Sequence, residues 1–193
     1  MMKEQFGAKE IVQPDNVEHN KPMELPDDSG RYWSETELPD DRNPESTNFK
    51  ELPRNAEYES NGYLYKTDDK GRIVSAEGTL HMKDREGRLP ISVSIEQIGR
   101  GDQRSDDDRG HLIGDQFGGS NKMDNLVPLN KDLNRGDYLA MEREMADAVK
   151  DGKTVYFKVE PRYEGESARP SMFKATAIID GEKSVRYFEN EGE

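Results

Sequence analysis

The order of apolar and polar residues predicts where the chain is folded into strands. From Asn61 onward, "GYLYKTDDKGRIVSAEGTL" places two runs of aromatic and β-branched residues around "DDKG", which predicts a β-hairpin. Apolar residues alternate in "LPISVSIEQIG", a pattern typical of a further strand. Strands are also predicted for "TVYFKVEPRY" and "MFKATAIIDGEKSVRYFEN", where Asp180 and Gly181 are expected to form a hairpin turn.

One helix is predicted between these groups of strands. Four apolar residues of "NRGDYLAMEREMADAVKDGK" recur at helical spacing, namely Tyr138, Met141, Met145 and Val149. Gly152 is placed to end this helix. Strands, a central helix and more strands predict an α+β fold built on an antiparallel sheet.

The first part of the chain has no hydrophobic period. Prolines, acids and turn-forming residues recur in "VQPDN", "ELPDDSG", "ELPDDRNPES" and "KELPRN". Residues 1–60 hold 7 Lys and Arg against 15 Asp and Glu, a net charge of −8 out of −13 for the chain. We predict an acidic, Pro-rich arm over residues 1–55, extended or disordered, and a folded domain over residues 56–193. The repeated "ELPDD" indicates either a partner-binding motif or a compositional coincidence.

Composition excludes several classes of protein. The length of 193 residues predicts one domain with some additional chain, and the hydrophobic content of 31% predicts a hydrophobic core of modest size. Without cysteine it has neither disulfides nor thiolate metal sites, and its three histidines argue against a His-rich zinc site. No stretch has the length of an apolar membrane helix, and the N-terminus lacks the apolar core of a signal peptide. The net charge of −13 argues against binding phosphates.

Two polar segments carry the candidate chemistry. His111 lies in "DDDRGHLIGDQFGG" and is able to transfer protons near neutral pH, although an isolated histidine is usually structural. Gly110 before it is expected to sit at a strand end and to permit close approach of a large molecule. In and just before "NLVPLNKDLNRG", the amide oxygens of four asparagines suit Mg²⁺, namely Asn121, Asn125, Asn130 and Asn134. Asn134 is a candidate for such a ligand and for a helix cap, two roles that are compatible, and Glu142 either reaches the metal's water shell or is a solvated helix residue.

The ordered motifs resemble a known family. "DRGH" followed by "NLVPLNKDLNRGDYLAMERE" is similar to the DNA/RNA non-specific endonucleases of the ββα-metal, or His-Me finger, class, over roughly residues 61–190. The elements "GHLIGDQFGG", "DNLVPLN", "LNRG", "ME" and "RP" resemble the branch that forms nuclease domains of bacterial secreted and polymorphic toxins. The resemblance implies a ββα-metal catalytic motif within the antiparallel α+β fold.

The resemblance also implies roles for individual residues. His111 corresponds to the general base, Asn134 to the direct Mg²⁺ ligand, and Glu142 to a residue that contacts metal-bound water. Asn125 corresponds to the asparagine that organises the site.

Arginines are implied at the scissile phosphate, and the candidates are Arg109 of the signature, Arg143 and Arg169. Asp108 corresponds to an acid that supports the site.

Between Arg100 and Arg143, basic residues do not outnumber acidic ones, so no basic stripe is visible. Either folding segregates five cations onto one face, namely Arg104, Arg109, Lys122, Arg135 and Arg143, or substrate binding is weak.

The implied function is Mg²⁺-dependent, non-specific endonucleolytic cleavage of DNA and RNA to 5′-phosphate ends, with Mn²⁺ as an alternative cofactor. The implied setting is a bacterial toxin effector domain with a cognate immunity protein and no membrane partner. It would be secreted or delivered into target cells without a cleaved Sec-type signal, and otherwise cytoplasmic. The alternative is a non-catalytic module on the same scaffold that binds nucleic acid or protein.

Overall fold

The computed structural model describes residues 52–192 and two short strands before them. These strands, β1 (Leu25–Pro26) and β2 (Tyr32–Trp33), pair antiparallel. Apart from them and residues 52–55, the predicted acidic arm lies outside the described residues. The division into an arm and a nuclease domain therefore stays a prediction.

The described domain contains strands on both sides of a helical region. In chain order, the elements are β3 (Glu57–Ser60), β4 (Tyr63–Thr67), β5 (Ile73–Thr79), α1 (Ile95–Gly99), β6 (Asp107–His111), a 3₁₀ turn (Asp115–Phe117), β7 (Leu126–Asn130), α2 (Lys131–Arg135), α3 (Asp137–Lys150), β8 (Val155–Tyr163), β9 (Pro170–Ile179) and β10 (Glu182–Glu189). No helix in the described part of the chain has the length and apolar character needed to cross a bilayer.

Six of the strands form one antiparallel sheet with the order β10-β9-β8-β5-β4-β3. The predicted hairpin of β4 and β5 is confirmed, as are the three C-terminal strands. Between β9 and β10, Asp180 and Gly181 have φ values of 48° and 90°. Both lie in the left-handed region, which Asp-Gly tolerates in a tight hairpin turn. The sequence signal for this turn therefore reflects a real backbone requirement.

Helix α3 covers one face of the sheet. It buries Tyr138, Met141 and Met145, and the Tyr138 ring lies 6.1 Å from that of Phe173 and 5.6 Å from that of Phe188. The predicted helix is thus confirmed, because the residues at helical spacing are those that pack on the strands. Together with the sheet, this packing confirms the predicted antiparallel α+β fold.

Strands β6 and β7 form a separate antiparallel hairpin that leads directly into α2. His111 lies opposite Leu126, and Asp107 lies opposite Asn130. The Asn130 side chain caps α2 by accepting hydrogen bonds from the backbone of Asp132 and Leu133 at 3.0 and 3.2 Å. The predicted ββα arrangement is therefore present, and Asn130 supplies the helix cap that was one interpretation of Asn134.

The strand predicted for "LPISVSIEQIG" is wrong, because residues 95–99 form α1. The Ser94 hydroxyl accepts a hydrogen bond from the Gln97 backbone at 3.2 Å, and the Gln97 side chain accepts one from the Ser94 backbone at 2.9 Å. This capping box stabilises the first turn of a helix. Local capping therefore overrides the alternation of apolar residues.

The expected role of Gly110 is also different. A Cβ atom at this position would lie 2.4 Å from the Cβ of Leu129 on the paired strand. Glycine is required here because β6 packs tightly on a neighbouring side chain of its own hairpin. The close approach is internal, and no bound molecule is needed to explain it.

A buried polar cluster joins the β6–β7 hairpin to the large sheet. Arg169, which directly precedes β9, donates two hydrogen bonds of 2.8 Å to the Asp107 carboxylate and one of 2.6 Å to the Asn190 carbonyl. The Asn190 side chain accepts from the Asn130 backbone and donates to the carbonyls of Pro128 and Pro170. The hairpin is thereby fixed on the sheet by contacts made to β6, β7 and β9.

Replacing Arg169 by methionine is expected to lower the free energy of unfolding by about 3–5 kcal/mol, the range for breaking a buried ion pair. The Asp107 side chain is fully buried, so its charge would lose the only cation that it contacts among the described residues. Urea unfolding measures the change, with exposed Arg162→Met on β8 as the control. A loss below about 1 kcal/mol, as for exposed pairs, would contradict the structural role.

Candidate active site

A cavity of about 320 Å³ opens where β6, the 3₁₀ turn, α2 and α3 meet. The residues that line it are Arg88, Ile91, Asp108, Arg109, His111, Gly114, Asp115, Asn134, Arg135, Leu139 and Glu142. The lining includes six of the residues singled out from the sequence, namely Asp108, Arg109, His111, Asn134, Arg135 and Glu142. Folding therefore brings side chains from three separate elements into one polar cavity.

His111 is the last residue of β6 and is held by one hydrogen bond. Its Nε2 atom lies 2.6 Å from the Oδ1 atom of Asn121. The amide of Asn121 is oriented by its other end, where Nδ2 donates to the Leu89 carbonyl at 3.4 Å. Because Oδ1 only accepts, the Nε2 atom carries the hydrogen, and Nδ1 is the nitrogen with a free lone pair.

The surroundings of His111 favour its neutral form. Burial lowers the pKa of the imidazole from its ordinary value of 6.5, and the positive charges of Arg88 and Arg109 act in the same direction. The hydrogen bond to Asn121 and the charge of Asp115 oppose this shift only in part. At pH 7 the ring is therefore an unprotonated base with a defined orientation.

Asn134 lies on α2, and its amide is fixed by a carboxylate. Its Nδ2 atom donates to Asp108 at 3.0 Å, and Arg135 donates to the same carboxylate at 2.8 and 2.7 Å. Against the effect of burial, these hydrogen bonds hold the pKa of Asp108 below its usual value. The Asn134 Oδ1 atom has no hydrogen-bond partner among residues 52–192, and it belongs to the cavity lining.

Glu142 projects from α3 into the same cavity. Burial raises the pKa of its carboxyl group to about 7, with the positive charge of Arg88 opposing the shift and the negative charge of Asp115 adding to it. Within the described residues, no side chain or backbone group hydrogen-bonds to this carboxylate. A Cβ atom at Gly114 would lie 2.4 Å from Glu142 Oε1, so the carboxylate packs directly on the backbone of this glycine.

This donor set fits a hydrated divalent cation. Asn134 offers a neutral amide oxygen, and Glu142 offers a buried carboxylate whose charge no cation pairs with at close range in the described part of the chain. The described residues contain no group of three or more His, Cys, Asp or Glu side chains that would form a protein cage around an ion. Few protein ligands and several retained waters are the preference of Mg²⁺.

Asn125 lies outside the cavity and acts on the segment that follows His111. Its fully buried amide donates to the carbonyls of Ile113 and Ser120 at 2.8 and 2.9 Å. It also accepts from the Ile113 backbone at 2.9 Å. These bonds close the loop of residues 113–120, which carries Gly114 and Asp115 to the cavity wall.

Two of the predicted arginines are not brought to the cavity. Arg143 is exposed on α3 and is not part of the lining, whereas Arg169 is buried in the cluster with Asp107. Arg104 and Lys122 are likewise outside the lining. Folding thus gathers only part of the predicted set of cations.

Arg88 and Asp115 belong to the site but were given no role from the sequence, and Asn121, one of the four asparagines considered as oxygen ligands, instead contacts His111. Arg88 lines the cavity, and no carboxylate of residues 52–192 lies within ion-pair distance of it. Arg109 instead uses Nη1 to donate to the carbonyls of Ile91 and Val93 at 2.9 and 3.0 Å. The only sequence signal for Arg88 was the run of cations in "KDREGR", which has no fixed spacing from His111.

Comparisons of the sequence with known proteins agree on one family. Residues 54–181 match the model of the DNA/RNA non-specific endonuclease family. The chain is 39% identical over 145 residues to the type VII secretion system protein EssD of Staphylococcus aureus strains USA300 and NCTC 8325. That alignment covers 71% of this chain but 23% of EssD, so the chain spans less than a quarter of the length of these relatives.

Solved structures of nucleases show weaker similarity. A structure of Sda1 nuclease with a bound zinc ion is 26% identical, with a TM-score of 0.42, and the match covers 45% of this chain and 39% of that one. An extracellular endonuclease is 19% identical, with a TM-score of 0.47 and coverage of 68% and 80%.

The His111 ring is expected to titrate below pH 6.5 in the folded protein and lower still in Asn121→Ala. Burial disfavours the charged ring, and the variant loses the hydrogen bond that raises the pKa. NMR titration of the ring protons measures both midpoints. The control is the urea-unfolded protein, which should titrate near the ordinary histidine value. A midpoint at or above 6.5 in the folded parent would refute the assignment of a neutral ring at pH 7.

Proposed function

The chain belongs to the DNA/RNA non-specific endonuclease family, and on this basis we propose that it is a Mg²⁺-dependent nuclease that cleaves DNA and RNA to 5′-phosphate ends. Membership of this family makes the protein a hydrolase of nucleic acids. The metal specificity, the breadth of substrates and the chemistry of the ends are the proposed part. The observation that carries the proposal is the convergence of His111, Asn134 and Glu142 in one cavity.

His111 acts as the general base. Its Nδ1 lone pair accepts a proton from a water molecule while the water oxygen attacks phosphorus. The bond from phosphorus to the 3′ oxygen breaks. One fragment then ends in a 5′-phosphate, and the other ends in a 3′-hydroxyl once its oxygen has been protonated by solvent. The hydrogen bond of Nε2 to Asn121 keeps the ring in the required tautomer and stabilises the imidazolium that forms.

Asn134 and Glu142 hold the cofactor in this proposal. Members of the family use a divalent metal ion. When bound, Mg²⁺ or Mn²⁺ neutralises charge on the phosphate and stabilises the leaving oxygen. Asn134 Oδ1 is assigned as the direct ligand, because its Nδ2 is already bound to Asp108. The Glu142 carboxylate is assigned to the water shell of the ion.

Phosphate binding is assigned to the cations of the cavity. Arg88 and Arg109 both act on His111 through their charge, so they lie near the reacting centre, whereas Arg143 and Arg169 do not line the cavity. Of these, Arg88 has a guanidinium with no acidic partner among the described residues. Contacts with phosphate carry little sequence information, which supports cleavage of both DNA and RNA with little sequence preference.

The biological setting is proposed from the relatives. Similarity to a type VII secretion system protein, together with the motifs of the toxin branch, supports a secreted effector domain that acts on the nucleic acid of a target cell. Such a domain requires a cognate immunity protein in the producing cell, because its substrates are present there as well.

His111→Ala is expected to lower the cleavage rate by about 10²- to 10⁴-fold, the usual contribution of general acid–base catalysis. The rate of the parent should rise with pH through a midpoint below 6.5 and then level off, because only the neutral ring accepts a proton. Both are measured with duplex DNA and with RNA, followed by analysis of the ends.

His81→Gln is the matched control, since this histidine contacts Tyr63 and is not part of the cavity lining. Parental rates in folded His111→Ala would remove the assigned base. Cyclic 2′,3′-phosphate ends on RNA would show that the 2′-hydroxyl, not water, is the nucleophile.

Asn134→Ala should raise the Mg²⁺ concentration that gives half-maximal rate. Loss of a residue that only supports a metal ligand lowers metal affinity roughly 10- to 100-fold, and loss of the ligand itself should have at least this effect. The thermal stability of the metal-free protein should change little, because Asn130 caps the helix. The control is Asp132→Ala, which is exposed on the same helix. Metal affinity is measured independently by the increase of melting temperature with Mg²⁺. Unchanged metal dependence would mean that another group is the ligand.

A further inference from the structure

Residues 82–93, here called the cavity loop, form one rim of the active site. The loop contributes Arg88 and Ile91 to the lining, and Leu89 beside them is 57% exposed. It contains no helix or strand, so its position depends on contacts with its neighbours. The inference below rests on the proposed nuclease function of this cavity.

Asp115 makes the most buried of these contacts. Its side chain is 4% exposed, and its two carboxylate oxygens accept hydrogen bonds from Lys83 and Arg85 of the cavity loop. The same two cations donate to the Gly87 carbonyl at 2.5 and 2.7 Å. Residues 83–87 are therefore folded around one carboxylate, and Arg88 is the next residue along the chain.

Two further contacts hold the second half of the loop. Asn121 donates to the Leu89 carbonyl, and Arg109 donates to the carbonyls of Ile91 and Val93. Asp115, Asn121 and Arg109 all belong to the segment that carries His111. Each side of Arg88 is thus attached to the same segment as the proposed base.

We propose that Asp115 is a positioning residue for phosphodiester cleavage, which holds the cavity loop so that Arg88 faces the reacting phosphate. Asp115 neutralises Lys83 and Arg85 and prevents these neighbouring cations from repelling each other. A cation accelerates such a reaction most when it is fixed before the charge develops, because no reorganisation is then needed. Loss of the carboxylate should free the loop and leave Arg88 without a fixed position.

A purely electrostatic role for Asp115 predicts the opposite effect. A negative charge on the wall of a phosphate-binding cavity repels the substrate, so removing it should strengthen binding and increase kcat/KM. The positioning role predicts a lower kcat even though the cavity becomes more positive. The sign of the change therefore separates the two roles.

The test compares Asp115→Asn with the parent protein in two assays. In the first, trypsin cleavage of the Arg88–Leu89 bond is followed by mass spectrometry, and we expect at least about tenfold faster cleavage in the variant because a freed loop reaches the protease more often. In the second, kcat and KM are measured at pH 8, where His111 is neutral. We expect kcat to fall by about tenfold or more with no increase of KM.

Matched variants complete the test. Glu160→Gln removes a carboxylate from an ion pair with Lys174 outside the cavity lining and should match the parent in both assays. Lys83→Gln with Arg85→Gln breaks the same contact from the other side and keeps the Arg88–Leu89 bond. If Asp115→Asn fails to fold, this double variant is used in both assays instead.

Parental protection of the loop with a parental or higher kcat in folded variants would overturn the positioning role. A parent protein that fails to cleave nucleic acid would instead overturn the proposed function. Trypsin cleavage reports on the loop contact in either case.

Discussion

The position of the whole cavity depends on the buried ion pair between Asp107 and Arg169. This pair fixes strand β6 on the large sheet, and β6 ends in His111. The carboxylates on either side make contacts as well, because Asp106 accepts a hydrogen bond from Asn130 at 2.7 Å and Asp108 accepts one from Asn134 at 3.0 Å. Three consecutive acids thus connect one short strand to the sheet, to the helix cap and to the assigned metal ligand. A buried pair adds little net stability, but it selects one arrangement of the elements it joins.

The same pairing resolves the conflict between an acidic chain and an anionic substrate. The net charge is −13, yet the acids next to the cavity are already bound to cations. Asp108 is paired with Arg135, and Asp115 with Lys83 and Arg85. Burial raises the pKa of Glu142 to about 7, so this carboxyl group carries only part of its negative charge at neutral pH. Inside the cavity, Arg88 and the second cation bound to Asp115 therefore leave an excess of positive charge.

The sequence predicted elements whose signals are local. Helical spacing located α3, and Asp180-Gly181 located the last hairpin, because each pattern reports directly on backbone geometry. The strand expected before residue 99 was wrong, since a capping box acts over only four residues and decided the structure there. Motif resemblance found His111, Asn134 and Glu142, which the cavity brings together.

Contacts between distant segments could not be predicted in this way. Arg169 was expected at the phosphate, but no pattern shows that its partner is a buried carboxylate 62 residues away. Arg88 was missed for the converse reason, because it lies on a loop whose course is set by Asp115, Asn121 and Arg109. Gly114 likewise contacts a residue distant in the sequence, and this contact has a consequence for protein engineering. A side chain added at 114 would displace the end of the Glu142 side chain and leave the backbone in place, so a library at this position would alter the assigned metal site and should be screened for metal use as well as for folding.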